Sequence, residues 1–137
     1  MSNKLLRAIL RRFNFSPDRI YNENDLNELT FSPQDKHVDY IAHKKECTCM
    51  LIEITKSSIS KAIEQLRDAA SKLKQLDYKV RYAVLVIEKL RREKRRYSIK
   101  HGKLYEKRGR ELFLVKIEGE KGKIPVQALM LNELIRR

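Results

Sequence analysis

The spacing of apolar positions changes several times along this chain, and each change predicts an element. Residues 3–13 place Leu5, Leu6, Ile9, Leu10 and Phe13 on one helical face, while Lys4, Arg7, Arg11 and Arg12 cover the rest. That pattern predicts an amphipathic helix packed on a sheet, with a basic outer side. Ser16-Pro17-Asp18 is a turn signal, and the stretch 19–28 suits a short strand passing into a loop or helical turn. Leu29-Thr30-Phe31 looks extended, and residues 32–35 turn again. His37–Lys44 and Cys49–Lys56 then read as two strands joined by a hairpin loop over Lys45–Thr48.

The period then shifts from two to between three and four. Ile59, Ala62, Ile63, Leu66, Ala69, Ala70, Leu73 and Leu76 predict a helix from Ser58 to about Leu76, with Ser57 or Ser58 available as N-cap. Val80–Ile87 is nearly all apolar, as expected of a strand buried on both faces. A helix leaving one strand and returning to another makes a crossover, so this strand should pair parallel to the one before the helix. Beyond it, Tyr97–Lys100 and Lys103–Tyr105 read as a hairpin turning at His101-Gly102. Glu111–Ile117 reads as a further strand and Glu118–Lys123 as a glycine-containing loop. Pro125 is expected to open a last helix through Ile135. The sum is an α/β chain whose mixed sheet carries packed helices in the order α-β-β-β-α-β, extended by a C-terminal hairpin, strand and helix. A single domain over 1–137 is expected, with its core at about 3–88 and a basic extension at about 89–137.

Charge sharpens this picture. Lys and Arg number 31 against 18 acidic residues, a net +13 in 137 residues. Such a surplus draws polyanions through counterion release and long-range steering, and nucleic acid is the foremost candidate. Residues 91–110 alone carry ten Lys/Arg against two Glu. Here Arg91, Arg92, Lys94, Arg95, Arg96, Lys100 and Lys103 are expected to meet phosphates, with Tyr97 and Tyr105 packing on sugars or unstacked bases. No base-reading motif accompanies them, so backbone or shape recognition is expected. A hydrophobic content of 42% argues against disorder. No apolar run reaches the ~18 residues of a membrane span, and arginines interrupt the N-terminal apolar residues, so no membrane association and a cytoplasmic location are expected. Cys47 and Cys49 form a lone CxC, half a zinc site at best.

Candidate chemistry lies in His37–Leu66. Asp39 and Glu53 are acidic residues in otherwise apolar strands, and a half-buried carboxylate is costly unless paired. Strand alternation puts Asp39 with His37, Ile41 and His43, and Glu53 with Cys49, Leu51 and Thr55. If these faces coincide, the two carboxylates converge, and such oxygen ligands with waters and a substrate phosphate suit a hard divalent cation. His37 and His43, on the Asp39 face, are weaker candidates for touching metal or phosphate.

Asp39, then Glu53-Ile54-Thr55-Lys56, then a helix carrying Gln65 within Ala62–Leu66 (AIEQL), resembles the PD-(D/E)xK nuclease superfamily. Its members include archaeal Holliday-junction resolvases, restriction endonucleases and virus- or plasmid-borne nucleases. The resemblance implies a restriction-endonuclease-like core and a Mg2+- or Mn2+-dependent endonuclease cutting DNA, branched or otherwise structured DNA included, as a homodimer. By the same resemblance Asp39 and Glu53 would ligate the metal, Lys56 would serve the attacking water and Gln65 would support the site. The family spacing puts its lysine at 55, where this chain has Thr55, so Lys56 on a regular strand points to the opposite face. A bulge could turn Lys56 inward, Lys61 could supply the amine, or the fold could be kept for nucleic-acid binding without catalysis. A basic scaffold for an acidic protein is a third class. Val38 stands where the family has proline, and the upstream acids are Glu23, Asp25 and Glu28.

Overall fold

The computed structural model describes residues 3–29, 38–90 and 96–135. One sheet joins most of the chain. Helix α1 (Asn3–Arg12) leads into strand β1 (Arg19–Asn22), a 3-10 turn (Leu26–Leu29), β2 (Tyr40–Lys44), a second 3-10 turn (Lys45–Cys47) and β3 (Thr48–Thr55). Helix α2 (Ile59–Gln75) crosses to β4 (Lys79–Ile87). Then follow β5 (Tyr97–Lys100), β6 (Lys103–Arg108), β7 (Glu111–Leu114), β8 (Lys116–Gly119), β9 (Gly122–Met130) and the short α3 (Leu131–Leu134). The strands lie in the order β1-β2-β3-β4-β9-β6-β5, with β7 beside β6 and β8 beside β9. β1, β2 and β3 form an antiparallel meander, whereas β3–β4 and β4–β9 are parallel.

Side-chain alternation along β3 and β4 feeds two cores. Cys49, Leu51, Ala83, Leu85 and Ile87 face α2, which returns Ile59, Ala62, Leu66, Ala69 and Leu73. Met50, Ile52, Val84 and Val86 face α1, which returns Leu5, Leu6 and Ile9. The central strands are therefore apolar on both sides, as a sheet covered by helices requires. The helix at 3–13, the helix after Ser58 and the parallel strand at 80–87 form as the periodicity predicts, and so does the meander, except that β2 begins only at Tyr40, after Asp39, and β3 ends at Thr55, before Lys56.

Three expectations fail. Residues 125–135 do not form a helix: Gly122–Met130 form β9, the second parallel neighbour of β4, and only Leu131–Leu134 turn helical. Val126, Ala128 and Leu129 are buried there, and β4 offers an open edge that a strand fills and a helix does not. Pro125 stands at the end of the short β8 ladder, opposite Lys116, and one residue before the ladder with β4 begins at Val126, so it interrupts no bond to β4. The expected strand 111–117 is two strands broken at Val115, whose N–H bonds Leu104 O while its own carbonyl accepts from Val126. Of the stretch 29–31, Leu29 closes a 3-10 turn instead of extending, and Thr30 and Phe31 lie outside the described residues, as does the turn at 32–35.

Candidate functional site

The meander brings the two acids together at its open end. The β2–β3 ladder begins at Tyr40↔Ile52, so the next pair outward is Asp39 and Glu53. Asp39 is not inside the strand; it occupies a bend just before it. Its backbone N–H donates to Glu53 Oε1 at 3.0 Å, and the N–H of Ile54 donates to Asp39 Oδ2 at 2.8 Å. Glu53 thus holds the Asp39 backbone and Asp39 the backbone beside Glu53, which fixes both in place with no cationic partner among the described residues. Among the described residues only Thr48 and Glu53 are buried polar groups, and Glu53 is 4% exposed. Its carboxyl is pushed up to about 8, first by loss of water and then by the neighbouring Asp39, with a smaller push from Glu23.

A cleft of about 620 Å³ opens over this end of the sheet, lined by Asn22, Glu23, Asn24, Asp39, Tyr40, Ile54, Lys56 and Glu88. Glu53 is not in its wall; it sits behind Asp39. Glu23 separates from the other upstream acids: Glu28 pairs with Arg19, and Asp25 accepts from the Asn22 N–H, while Glu23 faces the cleft. Glu88 was not anticipated. It directly follows β4, whose apolar run ends at Ile87, and an acid at that step is the signal that points to it.

Lys56 reaches the cleft without a bulge at its end of β3. The only irregularity of β3 against β4 lies between Cys49 and Met50. The strand stops at Thr55, and Lys56 sits in the following bend, where its carbonyl accepts from Lys89 N–H at 2.7 Å. Strand alternation therefore no longer governs where its side chain lies. Thr55, at the position where the resemblance would expect a lysine, has a local role instead. Its hydroxyl accepts from Ser58 N–H at 3.1 Å and donates to Ser58 O at 3.3 Å, shaping the turn into α2, while Ser58 itself makes no side-chain cap. Lys61 is exposed on α2, and Gln65 is half-buried on the same helix; neither lines the cleft.

The basic segment divides. Arg91, Arg92, Lys94 and Arg95 lie outside the described residues, as does His37. Arg96 bonds Glu106 and Ser60 and lies over the Tyr97 ring. Desolvation works to raise the Glu106 carboxyl, but hydrogen bonds from Arg108 and Arg96 hold it below its ordinary value. Tyr97 is not available to a sugar or base: it is 3% exposed, packed in the α2-side core, with its hydroxyl 3.1 Å from Ser60 Oγ. The burial follows from β5 joining the main sheet through β6 instead of projecting as an arm. Lys100 is exposed and Lys103 half-buried, flanking a turn in which His101 and Gly102 both have positive φ (53° and 72°), as a two-residue hairpin requires.

At the opposite end of the meander, His43 pairs across the ladder with Cys49 and lies edge-on between Tyr21 and Tyr78. Burial pushes the Cys49 thiol up to about 12, and Cys47 is exposed in the turn. Among the described residues no three His, Cys, Asp or Glu side chains form a group able to hold a metal ion, at the Asp39–Glu53 end as around Cys47, Cys49 and His43. No helix of the described residues is long and apolar enough to cross a membrane. Compared with family models, curated proteins and solved structures, the chain matches none of them.

Proposed function

We propose that the chain is a metal-dependent endonuclease with a restriction-endonuclease-like core, hydrolysing DNA phosphodiesters at the Asp39–Glu53 end of the sheet. The observation that carries this reading is the crosswise pairing of the two carboxylates beside a cleft containing Lys56. The order α1-β1-β2-β3-α2-β4, with an antiparallel meander and a parallel crossover, supports the assignment of the core. The surplus of 13 positive charges supports a polyanionic substrate.

Two carboxylates, completed by water and substrate phosphate, would suit a hard divalent cation such as Mg2+ or Mn2+. That donor set is all oxygen, and a bound cation would offset both the burial and the Asp39 repulsion that keep a proton on Glu53. When bound, such an ion supplies charge neutralisation at a phosphodiester and makes water a better acid near neutral pH. Asp39 and Glu53 would hold it, and Glu23 and Glu88 lie near enough to the cleft to orient its water. The Lys56 ammonium, compact and on a flexible stem, would donate to a phosphate oxygen or to the incoming water.

One observation favours a second reading, a nucleic-acid-binding protein without catalysis. Glu53 is buried behind Asp39, outside the cleft wall, and Thr55 is committed to a turn. The two readings separate on supercoiled plasmid and branched DNA with Mg2+. The enzyme reading expects wild-type cleavage that Asp39→Ala and Glu53→Ala both abolish while DNA binding persists. Binding by wild type without any cleavage in Mg2+ or Mn2+ establishes the second reading.

A further inference from the structure

Helix α1 carries four cations and no anion. Lys4, Arg7, Arg11 and Arg12 are all exposed, and none is ion-paired with another described residue. Steps of three and four residues put Lys4, Arg7 and Arg11 on one stripe, roughly 10 Å long at 1.5 Å per residue. The direction of the stripe is fixed by its ends. Phe13 and Phe15 both contact the Tyr82 ring, near the start of β4, and Lys44 Nζ lies 5.4 Å over Phe15 where β2 finishes. The helix also touches α3, which follows the other end of β9. The stripe therefore runs from the Lys44 end of the sheet toward the end that bears the cleft. The cleft opens on this same side, since Tyr40 and Ile54 of its wall pack into the α1-side core.

We propose that the outer stripe of α1, Lys4, Arg7 and Arg11 continued by Lys44, is a docking track for the phosphate backbone of a nucleic-acid duplex. Beside it, a hollow of about 340 Å³ lined by Arg7, Arg11, Asn14 and Ser16, among others, adds amide and hydroxyl donors suited to phosphate oxygens. An anionic membrane is the poorer occupant. Insertion needs an apolar helix face, and Leu5, Leu6 and Ile9 are already buried beneath α1. The proposal goes beyond cleavage, because docking requires neither Asp39 nor Glu53. It also moves the grip away from Arg96 and Tyr97, which are occupied within the fold.

The test is the salt dependence of binding to a short DNA duplex in EDTA, so that no cutting intervenes. The triple variant Lys4→Gln, Arg7→Gln, Arg11→Gln is expected to lower the slope of log affinity against log salt by about 2.7, at ~0.9 per phosphate contact. Between about 50 and about 200 mM salt, wild type should then lose roughly 40-fold more affinity than the variant. A control with the same charge change at the exposed Lys61, Lys116 and Lys121 should leave the slope unaltered. If the triple variant melts differently from wild type, the single substitutions Arg7→Gln and Arg11→Gln are each expected to lower the slope by about one. An unchanged slope, an equal fall in the control, or absence of duplex binding by wild type overturns the proposal. So does loss of binding to anionic phosphatidylserine vesicles with duplex binding intact. Failure of cleavage alone, with this slope change present, would count against the nuclease reading and leave the track standing.

Discussion

The molecule gathers like charges in two places and treats them in opposite ways. On α1 the cations are spread along an open helix face, where water screens them and the fold is little affected. At Asp39 and Glu53 two carboxylates meet at the end of a covered sheet, one of them buried, and one must keep its proton well above its ordinary range. The first arrangement costs little and states only that a polyanion is welcome. The second is expensive to the apo fold, and expense of that kind marks a place where a bound cation would alter the energetics most.

The largest effect that can break this contrast is on cleavage. Asp39→Ala should lower the rate of Mg2+-dependent plasmid nicking by on the order of 10³-fold, and Lys56→Ala by on the order of 10², with unchanged melting for the lysine variant. Nicking by Lys56→Ala at the wild-type rate would show that a cleft lysine outside the strand takes no part.

A smaller effect concerns pH and stability. In the folded chain Glu53 keeps its proton up to about 8, whereas an unfolded glutamate releases it near 4.5. The folded state therefore binds more protons across that interval, and raising the pH through it withdraws stability that is fully present below 4.5. Wild type without divalent cation should melt lower at pH 8 than at pH 5, and added Mg2+ should recover part of the loss. Glu53→Gln, which can still accept from the Asp39 N–H, should be more stable than wild type at pH 8 by roughly 1–3 kcal/mol. Equal denaturation midpoints for the two proteins at pH 8 would contradict a proton held by burial and by the neighbouring Asp39. Smaller again, Thr55→Ala should cost about 1 kcal/mol through loss of the turn bond to Ser58 N–H, without changing cleavage. A cleavage defect larger than the stability loss would give Thr55 a part in the site.

How far the sequence spoke depended on whether a residue's fate was local. Periodicity alone located α1, the meander, α2 and β4, because each buries a stripe or face against its neighbours. The strand at 122–130 was illegible for the opposite reason. Its run from Pro125 to Met130 suits either element, and the choice rests on an open edge of β4 some forty residues away in sequence. Tyr97 misled similarly, since its surroundings in sequence are basic while its partners, Ser60 and the α2-side core, are distant. In the candidate site, the meeting of Asp39 with Glu53 was readable from alternation across a hairpin. The position of Lys56 was not, because alternation holds only inside a strand and β3 ends one residue earlier. Glu23 stands out from the other upstream acids, and Glu88 enters at all, only through the cleft that the ends of four strands create.

The most direct test of the central claim is a calorimetric titration of Mg2+ into the protein at pH 7, repeated in two buffers of different ionisation enthalpy. The account predicts binding to wild type with release of close to one proton, because Glu53 is mostly protonated there and must give its proton up to the cation. Glu53→Gln should release none. Mg2+ binding to wild type with no proton released, or the same binding and release by Glu53→Gln, would contradict a cation site at Asp39 and Glu53.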